Sequence, residues 1–469
     1  MEEGEPSESK WLLRSEFMRA LAPTSGDSFG VPFRSNGAAS GSLRAKRVVS
    51  ILLVSAFGPY VVPQAGLRLE QFVVYPLFAV AGLTLAIGRT RKMHSVFWTL
   101  AFLLGTSAIW MLLVTAFSRH PASAFEVVAA VENLLEPVAL ITVMGALLWN
   151  LSAPVRRQVL EEAARWVVIL LSLNALVSIT SVFINTMPVL GWFVRASASG
   201  SVLSNAASMG RYSGIFNQPI EAGVAYSLGV FAWIYLVLER NHSTPWMWLG
   251  AALLVVGGLL TVSKVFILGG IPLAVIYAGW CIGASHTRLA KAVLGVGLAA
   301  GLMLSLGGWA GWGYLERLLD FGSVGAGGAL AFYTAGRFGG ADAPVARLFG
   351  EVWRGASLQG FGLAAYTPLD NGYLEFFYQG GLFALSLYAC MLVIVGYVAL
   401  RAVRRGWPEG KLMTMVWLLV IGASFGAPVL TINRASILLW ILLLTAMSVT
   451  MPGSEARGSS VAASGVPAE

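Results

Sequence analysis

The sequence contains little charge and almost no cysteine. Asp, Glu, Lys and Arg make up only 12% of its 469 residues, about half of the roughly 25% that a soluble globular protein carries. The two cysteines, Cys281 and Cys390, lie in apolar runs and form no CxxC pair. We interpret them as small buried side chains. A soluble enzyme, a disordered protein and a secreted disulfide scaffold are therefore excluded.

Motifs for cofactors, metals and nucleic acids are also missing. The chain has four histidines, and no cluster of Asp, His or Cys has the spacing of metal ligands. There is no P-loop and no dinucleotide fingerprint. Its 31 basic residues against 23 acidic ones are not concentrated in a soluble domain. We therefore expect no cofactor, no metal and no nucleic-acid partner.

Long apolar runs dominate what is present. Apolar residues make up 57% of the chain, with 53 glycines and 16 tryptophans, as is typical of packed membrane helices with aromatic belts. A spanning helix needs about 20 mostly apolar residues. Such runs occupy residues 48–64, 70–88, 96–117, 124–149, 165–187, 213–238, 246–262, 265–283, 289–308, 372–400, 412–428 and 435–450. We predict an all-α polytopic membrane protein with about 12 transmembrane helices. The fourth run is unusual because it carries Glu126, Glu132 and Glu136.

The distribution of basic residues supports this topology. With the N terminus inside, 21 of the 31 Lys and Arg residues fall in predicted cytoplasmic segments and ten fall outside, in agreement with the positive-inside rule. Both termini are then cytoplasmic. We predict disordered tails at 1–47 and 451–469 around a transmembrane domain at 48–450. The first tail has no apolar h-region, so no cleavable signal peptide is expected.

One predicted outer loop is large. It spans residues 309–371, between the ninth and tenth helices, whereas most other outer loops are short. Asp342 and Pro344 are typical of a helix start, and apolar residues then recur at helical spacing. These are Val345, Leu348, Phe349, Val352, Trp353 and Ala356. We predict an amphipathic helix that either lies on the outer leaflet or covers a small core within the loop.

Polar side chains collect at the predicted outer boundary. Charged groups near apolar spans are costly, so each is a candidate for function. Five separate segments contribute them: Arg211 with Asn217, Gln218 and Glu221; Lys264; Arg337; Asp370 with Asn371, Tyr373 and Glu375; and Arg434. Arginine pairs with phosphate oxygens, and a carboxylate can accept a proton from a hydroxyl. The set indicates a site for an anionic headgroup and a hydroxyl substrate. The alternative is that the cations are anchors reaching lipid phosphates.

In this order, the segments resemble the O-antigen ligase/polymerase superfamily of bacterial envelope glycosyltransferases. The resemblance rests on Arg211-Tyr-Ser-Gly-Ile-Phe-Asn-Gln-Pro219, on Leu260-Thr-Val-Ser-Lys264 and on the late outer loop. It also rests on Gly360-Phe-Gly362 and on Asp370-Asn-Gly-Tyr-Leu-Glu-Phe-Phe-Tyr-Gln-Gly-Gly-Leu382. It covers roughly residues 50–450.

The resemblance implies a helical C-type glycosyltransferase that works without metal on the outer face of the bacterial cytoplasmic (inner) membrane. Its substrate would be an undecaprenyl-diphosphate-linked oligosaccharide, with membrane lipids and envelope polysaccharide assembly proteins as further partners. The family's diphosphate-binding arginines match Arg211 and Arg337. Lys264 stands where the family usually has arginine, and ligases typically have a histidine where Asp370 stands. This departure favours a polymerase over a ligase.

From these matches we assign roles to the candidate residues. The diphosphate would be held by Arg211, Lys264, Arg337 and Arg434. The sugars would contact Asn217, Gln218, Asn371 and Tyr373. The proton of the attacking hydroxyl would go to Asp370 or, failing that, to Glu375 or Glu221. A ligase stays open as an alternative, as does a transporter or flippase. Transporters tend to have internal repeats and charged or broken helices at mid-membrane, and the sequence gives no clear sign of either.

Overall fold

A computed structural model describes residues 35–63, 66–88, 93–118, 123–194, 198–283, 344–363 and 371–451, with a few single positions between 287 and 316. The described backbone is mostly helical, as expected where lipid offers no hydrogen-bond partners. Seven of the described helices are long and apolar enough to cross a membrane. The prediction of an all-α membrane protein is confirmed at this level. The count of twelve stays a prediction, and the ninth run, 289–308, lies almost entirely outside the described residues.

The described helices, in chain order, are α1 (Ser35–Ala56), α2 (Gln71–Ala86), α3 (Ser95–Phe117), α4 (Ala124–Trp149), α5 (Ala153–Phe183), α6 (Met187–Leu190), α7 (Ala198–Ser208), α8 (Pro219–Ile234), α9 (Pro245–Leu260), α10 (Ile271–Ile282), α11 (Pro344–Gly355), α12 (Gly372–Arg404), α13 (Pro408–Ala423) and α14 (Asn433–Thr450). A 3-10 turn (Gly191–Phe193) follows α6. One π-helical turn (Tyr235–Glu239) continues α8 and another (Val265–Gly270) leads into α10. Strands β1 (Tyr60–Val62) and β2 (Leu67–Arg68) form a small antiparallel hairpin.

Helix boundaries differ most from the apolar runs at two places. Helix α1 begins at Ser35, inside the segment predicted as a tail up to residue 47, and ends before the hairpin, which occupies part of the predicted first run. Helix α5 begins at Ala153 instead of 165, because Pro154 suits a first turn and the polar residues of its first turns are ion-paired.

Helices α8 and α14 form the centre of the bundle. In α8 with its π-helical continuation, and in α14, 89% of the most apolar stretch is buried. Helix α14 packs against α4, α5, α8 and α13. Close approach depends on glycine: a Cβ on Gly223 of α8 would lie 2.4 Å from Ser263 Oγ. Small residues at such contacts are typical of helices packed in a membrane.

The two ends of α14 identify the two ends of the bundle. Arg434 lies at its start, and near its end the carbonyl of Ser448 accepts a hydrogen bond from Arg156 of α5. The Arg156 end also holds three ion pairs, Arg157 with Glu409, Arg240 with Glu161, and Lys411 with Glu239. These cations were predicted inside. Arg68, Arg211 and Lys264, predicted outside, lie at the Arg434 end. The assignment of each end to a side of the membrane stays a prediction.

The predicted amphipathic helix is confirmed as α11. Leu348 and Val352 are buried against Leu374, Phe377 and Tyr378, which lie in the first two turns of α12. The outer part of the same apolar stripe, with Phe349 and Trp353, is about half exposed. Helix α11 therefore packs on α12, while part of its apolar face is left uncovered by the described chain.

Candidate functional site

The segment before α8 folds against the end of α9. Tyr212 donates its backbone N–H to Leu260 O at 2.8 Å, and Arg211 Nε donates to Thr261 O at 3.3 Å. Lys264 follows Thr261 by three residues, so two of the predicted diphosphate-binding cations lie at one junction. Both residues are half-buried, which leaves part of each accessible to a ligand.

A buried amide fixes this segment. Gly214 has a φ of +63°, and a Cβ there would lie 2.1 Å from Asn174 Oδ1. The same Oδ1 accepts the Ile215 N–H at 2.9 Å, and Asn174 Nδ2 donates to Ser213 O at 3.3 Å and to Tyr226 Oη at 2.8 Å. Sequence analysis missed Asn174. The available signal was a single amide within the apolar run of α5.

Arg434 is fully buried and bonded to backbone. Its Nη1 donates to Phe193 O and to Ile215 O, each at 3.0 Å, and its Nη2 donates to Gly58 O at 2.9 Å. The guanidinium lies over the Tyr60 ring, 5.2 Å from the centroid. Arg434 was predicted as a diphosphate ligand. In this structure it is 0% exposed and ties together three segments that are distant in sequence.

Glu221 and Asn217 are buried beside Arg434. Glu221 accepts the backbone N–H of Arg434 at 3.0 Å and that of Asn217 at 3.1 Å. A carboxylate at this place is favourable because it faces the positive end of the α14 dipole. Asn217 Nδ2 donates to Tyr60 Oη at 2.8 Å. Gln218, at the N-cap of α8, is half-buried, so of these three predicted site residues it alone keeps exposed surface.

The start of α12 supplies three more predicted residues. Asn371 caps the helix by accepting a backbone N–H at 2.9 Å, and its Nδ2 donates to Phe425 O at 3.4 Å. Tyr373 donates its hydroxyl to a carbonyl of α13 at 3.0 Å. Glu375 is half-buried and accepts a hydrogen bond from a glutamine one turn later at 3.4 Å. Among these, Glu375 is the carboxylate with accessible surface.

The loop after α13 connects these groups. A Cβ on Gly426 would lie 2.7 Å from Ile220 Cδ1 and 3.9 Å from Val265 Cγ2, so the loop touches both the start of α8 and the chain after Lys264. The fifth predicted segment, with Arg337, and the predicted base Asp370 lie outside the described residues. Four of the five segments meet at the Arg434 end, those of Arg211, Lys264, Asn371 and Arg434.

A buried charge network lies next to this site. Arg68 Nε is 2.8 Å from Glu70 Oε1, and Arg68 Nη2 is 3.2 Å from Glu132 Oε1 and 2.7 Å from Glu136 Oε2. All four side chains are buried. We call these four residues the hairpin cluster, because Arg68 ends the β-hairpin. Through the cluster, the hairpin is held against α4.

Burial and charge act in opposite directions in this cluster. Burial raises the pKa of Glu70 above its ordinary value, and attraction to Arg68 and Arg434 offsets this only in part. Burial by itself would lower the pKa of Arg68, but attraction to the three carboxylates outweighs it and holds the pKa well above its ordinary value. Sequence analysis noted Glu132 and Glu136 without pairing them with Arg68, and it missed Glu70. The signal was two glutamates one helical turn apart in an apolar run, with an arginine among the predicted outer residues.

Helix α12 is interrupted at Gly381, which has φ +65° and ψ −163°. The chain after α11 bonds the backbone groups on both sides of the break. Phe361 donates its N–H to Tyr378 O at 2.8 Å, and Leu382 donates its N–H to Ser357 O at 2.8 Å. Irregular backbone in a spanning helix needs such partners within the protein. The break therefore positions the first turns of α12, which carry the predicted site residues.

The arrangement separates two kinds of cation. Arg434 and Arg68 are buried and occupied by protein groups, whereas Arg211 and Lys264 keep accessible surface and can bind an anion. Glu375 is the described carboxylate best placed to accept a proton from a ligand. No protein-family model matches this chain, and no curated protein matches it either.

Proposed function

We propose that this protein is a metal-independent glycosyltransferase on the outer face of the bacterial cytoplasmic membrane, which polymerises undecaprenyl-diphosphate-linked oligosaccharide repeat units. The observation that carries the proposal is the junction of Arg211 and Lys264. Arg211 bonds the carbonyl of Thr261, three residues before Lys264, so two half-buried cations from separate segments lie at one junction. The Asn371 segment lies at the same end. A diphosphate headgroup matches this charge.

In the proposed reaction, a sugar hydroxyl of one carrier-linked unit attacks the anomeric carbon of another. The new glycosidic bond forms as the bond from that carbon to the diphosphate oxygen breaks. The diphosphate leaves as an anion, so its attraction to Arg211, Lys264 and Arg337 grows in the transition state. Asp370 or Glu375 accepts the hydroxyl proton. Attack opposite the leaving group inverts the anomeric centre.

The buried residues have a supporting role in this proposal. From the sequence, Arg434 was predicted to bind the diphosphate and Glu221 was a candidate for the catalytic base. Their burial and backbone partners support a positioning role, in which they hold the segment that presents Arg211 and Gln218. Asn217 belongs to the same group. The sugar would then contact Gln218 and Tyr373.

A second candidate function is the transport of a lipid-linked sugar. Two observations favour it. Helix α12 is broken at Gly381, and the hairpin cluster places buried charges on α4, a helix long enough to span the membrane. Broken helices and buried charges are typical of transporters, and the sequence alone gave no clear sign of either.

The test supplies purified protein with a synthetic undecaprenyl-diphosphate oligosaccharide in the presence of a metal chelator. Longer carrier-linked products support the polymerase. A single transfer to another acceptor supports a ligase, and carrier translocation across vesicles without bond formation supports transport. Both of these outcomes would overturn the polymerase.

Matched variants test the site. Arg211→Ala, Lys264→Ala and Asp370→Asn should each reduce polymer formation strongly while the protein stays folded in the membrane. Arg347→Ala is the control, because Arg347 is exposed on α11 and should keep full activity. If Arg211→Ala and Lys264→Ala are both as active as the control, the assigned diphosphate site is wrong.

A further inference from the structure

The hairpin cluster contains more negative than positive charge. Three carboxylates surround the single Arg68 guanidinium, so the cluster has a formal charge of minus two when every group is ionised. The four side chains are at most 8% exposed. Buried charge without an opposite partner is strongly unfavourable. A proton on one of these carboxyls would therefore be favourable, because it removes negative charge where little water reaches.

Glu136 has one oxygen bonded within the cluster and one without a hydrogen-bond partner among the described residues. Its Oε2 and Glu132 Oε1 share Arg68 Nη2, at 2.7 and 3.2 Å. Its Oε1 is buried and has no hydrogen-bond partner among the described residues, and the same holds for Glu70 Oε2, Arg68 Nη1 and Gln71 Nε2. Gln71 borders the cluster, because its Oε1 accepts the Arg68 backbone N–H at 3.1 Å. Unpaired buried polar atoms at this place indicate a ligand that can donate or rearrange hydrogen bonds.

The position of the cluster limits what that ligand can be. Glu136 lies twelve residues after the start of α4, about 18 Å along the helix axis. In the described part of the chain, no group of three His, Cys, Asp or Glu side chains is arranged to hold a metal ion. A proton needs no such geometry, and it removes charge where solvent does not reach.

We propose that the hairpin cluster is a proton-binding site, in which one or two of the carboxyls of Glu70, Glu132 and Glu136 hold protons taken from water at neutral pH. A protonated carboxyl carries no charge and can donate its O–H to a neighbouring carboxylate. Proton binding thus removes the excess charge and supplies a missing donor. The proposal does not depend on glycosyltransfer, and it applies equally if the protein is a transporter.

Other ionisable groups face the cluster from the elements packed around it. They are Tyr60 on β1, Tyr75 on α2, Glu221 on α8 and Arg434 on α14. Arg434 favours ionised carboxyls, whereas Glu221 and the exclusion of water favour protonated ones. Loss of the protons would leave like charges around Arg68 and loosen the hairpin from α4.

Infrared difference spectroscopy of the full chain in lipid nanodiscs, recorded over a pH series, tests the proposal. At neutral pH we expect a carbonyl band of a protonated, desolvated carboxyl that shifts in D2O and disappears at alkaline pH. Glu136→Gln should remove or move this band. Glu351→Gln is the control, since Glu351 is half exposed on α11, and it should leave the band unchanged.

Two further variants keep the test decisive if Glu136→Gln does not fold. Glu70→Gln and Glu132→Gln report on the same protons, because the three carboxyls share one cation. A neutral-pH spectrum without a protonated carboxyl would overturn the proposal, and so would a band that all the cluster variants leave intact. Polymer formation is measured on the same samples. A band that depends on the cluster, in a protein that makes no polymer, refutes only the glycosyltransferase.

Discussion

Replacing Arg434 by methionine tests whether this residue positions the site or binds the substrate. The guanidinium makes three hydrogen bonds to carbonyls at 2.9 to 3.0 Å and is 0% exposed. Methionine fills a similar volume but donates nothing, so three carbonyls lose their partner, two of them buried and that of Phe193 part-buried. The buried carboxylate of Glu221 also loses the nearby positive charge.

The magnitude follows from these contacts. A hydrogen bond from a charged group contributes about 1.5–3 kcal/mol, and the variant loses three of them with partial relaxation, so we expect a loss of about 4–6 kcal/mol. With an unfolding entropy of about 2.1 cal/mol/K per residue, this lowers the melting temperature by roughly 5 °C. Arg434→Lys keeps the charge but cannot reach three carbonyls at once, and it should fall in between.

The assay is thermal unfolding of the purified protein in detergent, with polymer formation measured on the same preparations. Arg347→Met is the matched control: Arg347 is 63% exposed and lies 3.8 Å from Glu351, so it should change stability by less than about 1 kcal/mol. If Arg434→Met melts like this control and loses only activity, Arg434 is a substrate ligand and our structural argument is wrong.

Three further predictions follow from individual residues. Gly381→Ala should reduce the yield of folded protein, because Gly381 has φ +65° and a Cβ would lie 2.2 Å from a backbone carbonyl. The control is Gly105→Ala, which has open space around it and should be neutral or slightly stabilising. Equal yields of the two variants would refute the argument. Burial raises the pKa of Glu70 above 4.5. Its protonated carboxyl therefore stabilises the fold at low pH, and this stabilisation is lost as the pH rises through the raised pKa. Glu70→Gln should therefore flatten the fall in melting temperature above pH 4.5, and an unchanged pH profile would contradict this. The predicted topology is tested with single cysteines introduced into a chain without its native cysteines. Arg354→Cys should react with an impermeant maleimide added outside intact cells, and Arg405→Cys should not. Labelling of both residues from outside would refute the predicted topology.

The long apolar helices of the described residues could be predicted from the sequence, because each contains a run of apolar residues long enough to span a membrane. The hairpin was hidden inside the first apolar run, since Tyr60-Val-Val62 is as apolar as the helix before it. The turn signal was present, because Pro63 and Gly66 bracket the tip, and a β-branched run ending in such residues favours a hairpin. Length alone could not separate the two.

The sequence could predict only that the candidate residues lie at a similar depth in the membrane. It could not predict which of them are in contact. Topology places Arg211, Lys264 and Asn371 at the same boundary, but contacts between them depend on how the helices pack around α14. Asn174 was missed for the same reason, and Glu136 was noted without its partner. Their partners are 41 and 68 residues away, too far for a local pattern to indicate the contact.

The arginines and lysines at the Arg434 end differ in burial: some are enclosed by protein groups and others are partly accessible. No local pattern in the sequence indicates which residues are buried. Arg434 and Arg211 both follow short polar segments, yet one is enclosed by carbonyls and the other is partly accessible. The two are also linked, because Arg434 holds Ile215 O at 3.0 Å, four residues from Arg211. A change at the buried arginine therefore displaces the accessible one. Loss of activity by itself cannot distinguish a ligand from its support, whereas activity and stability measured together can.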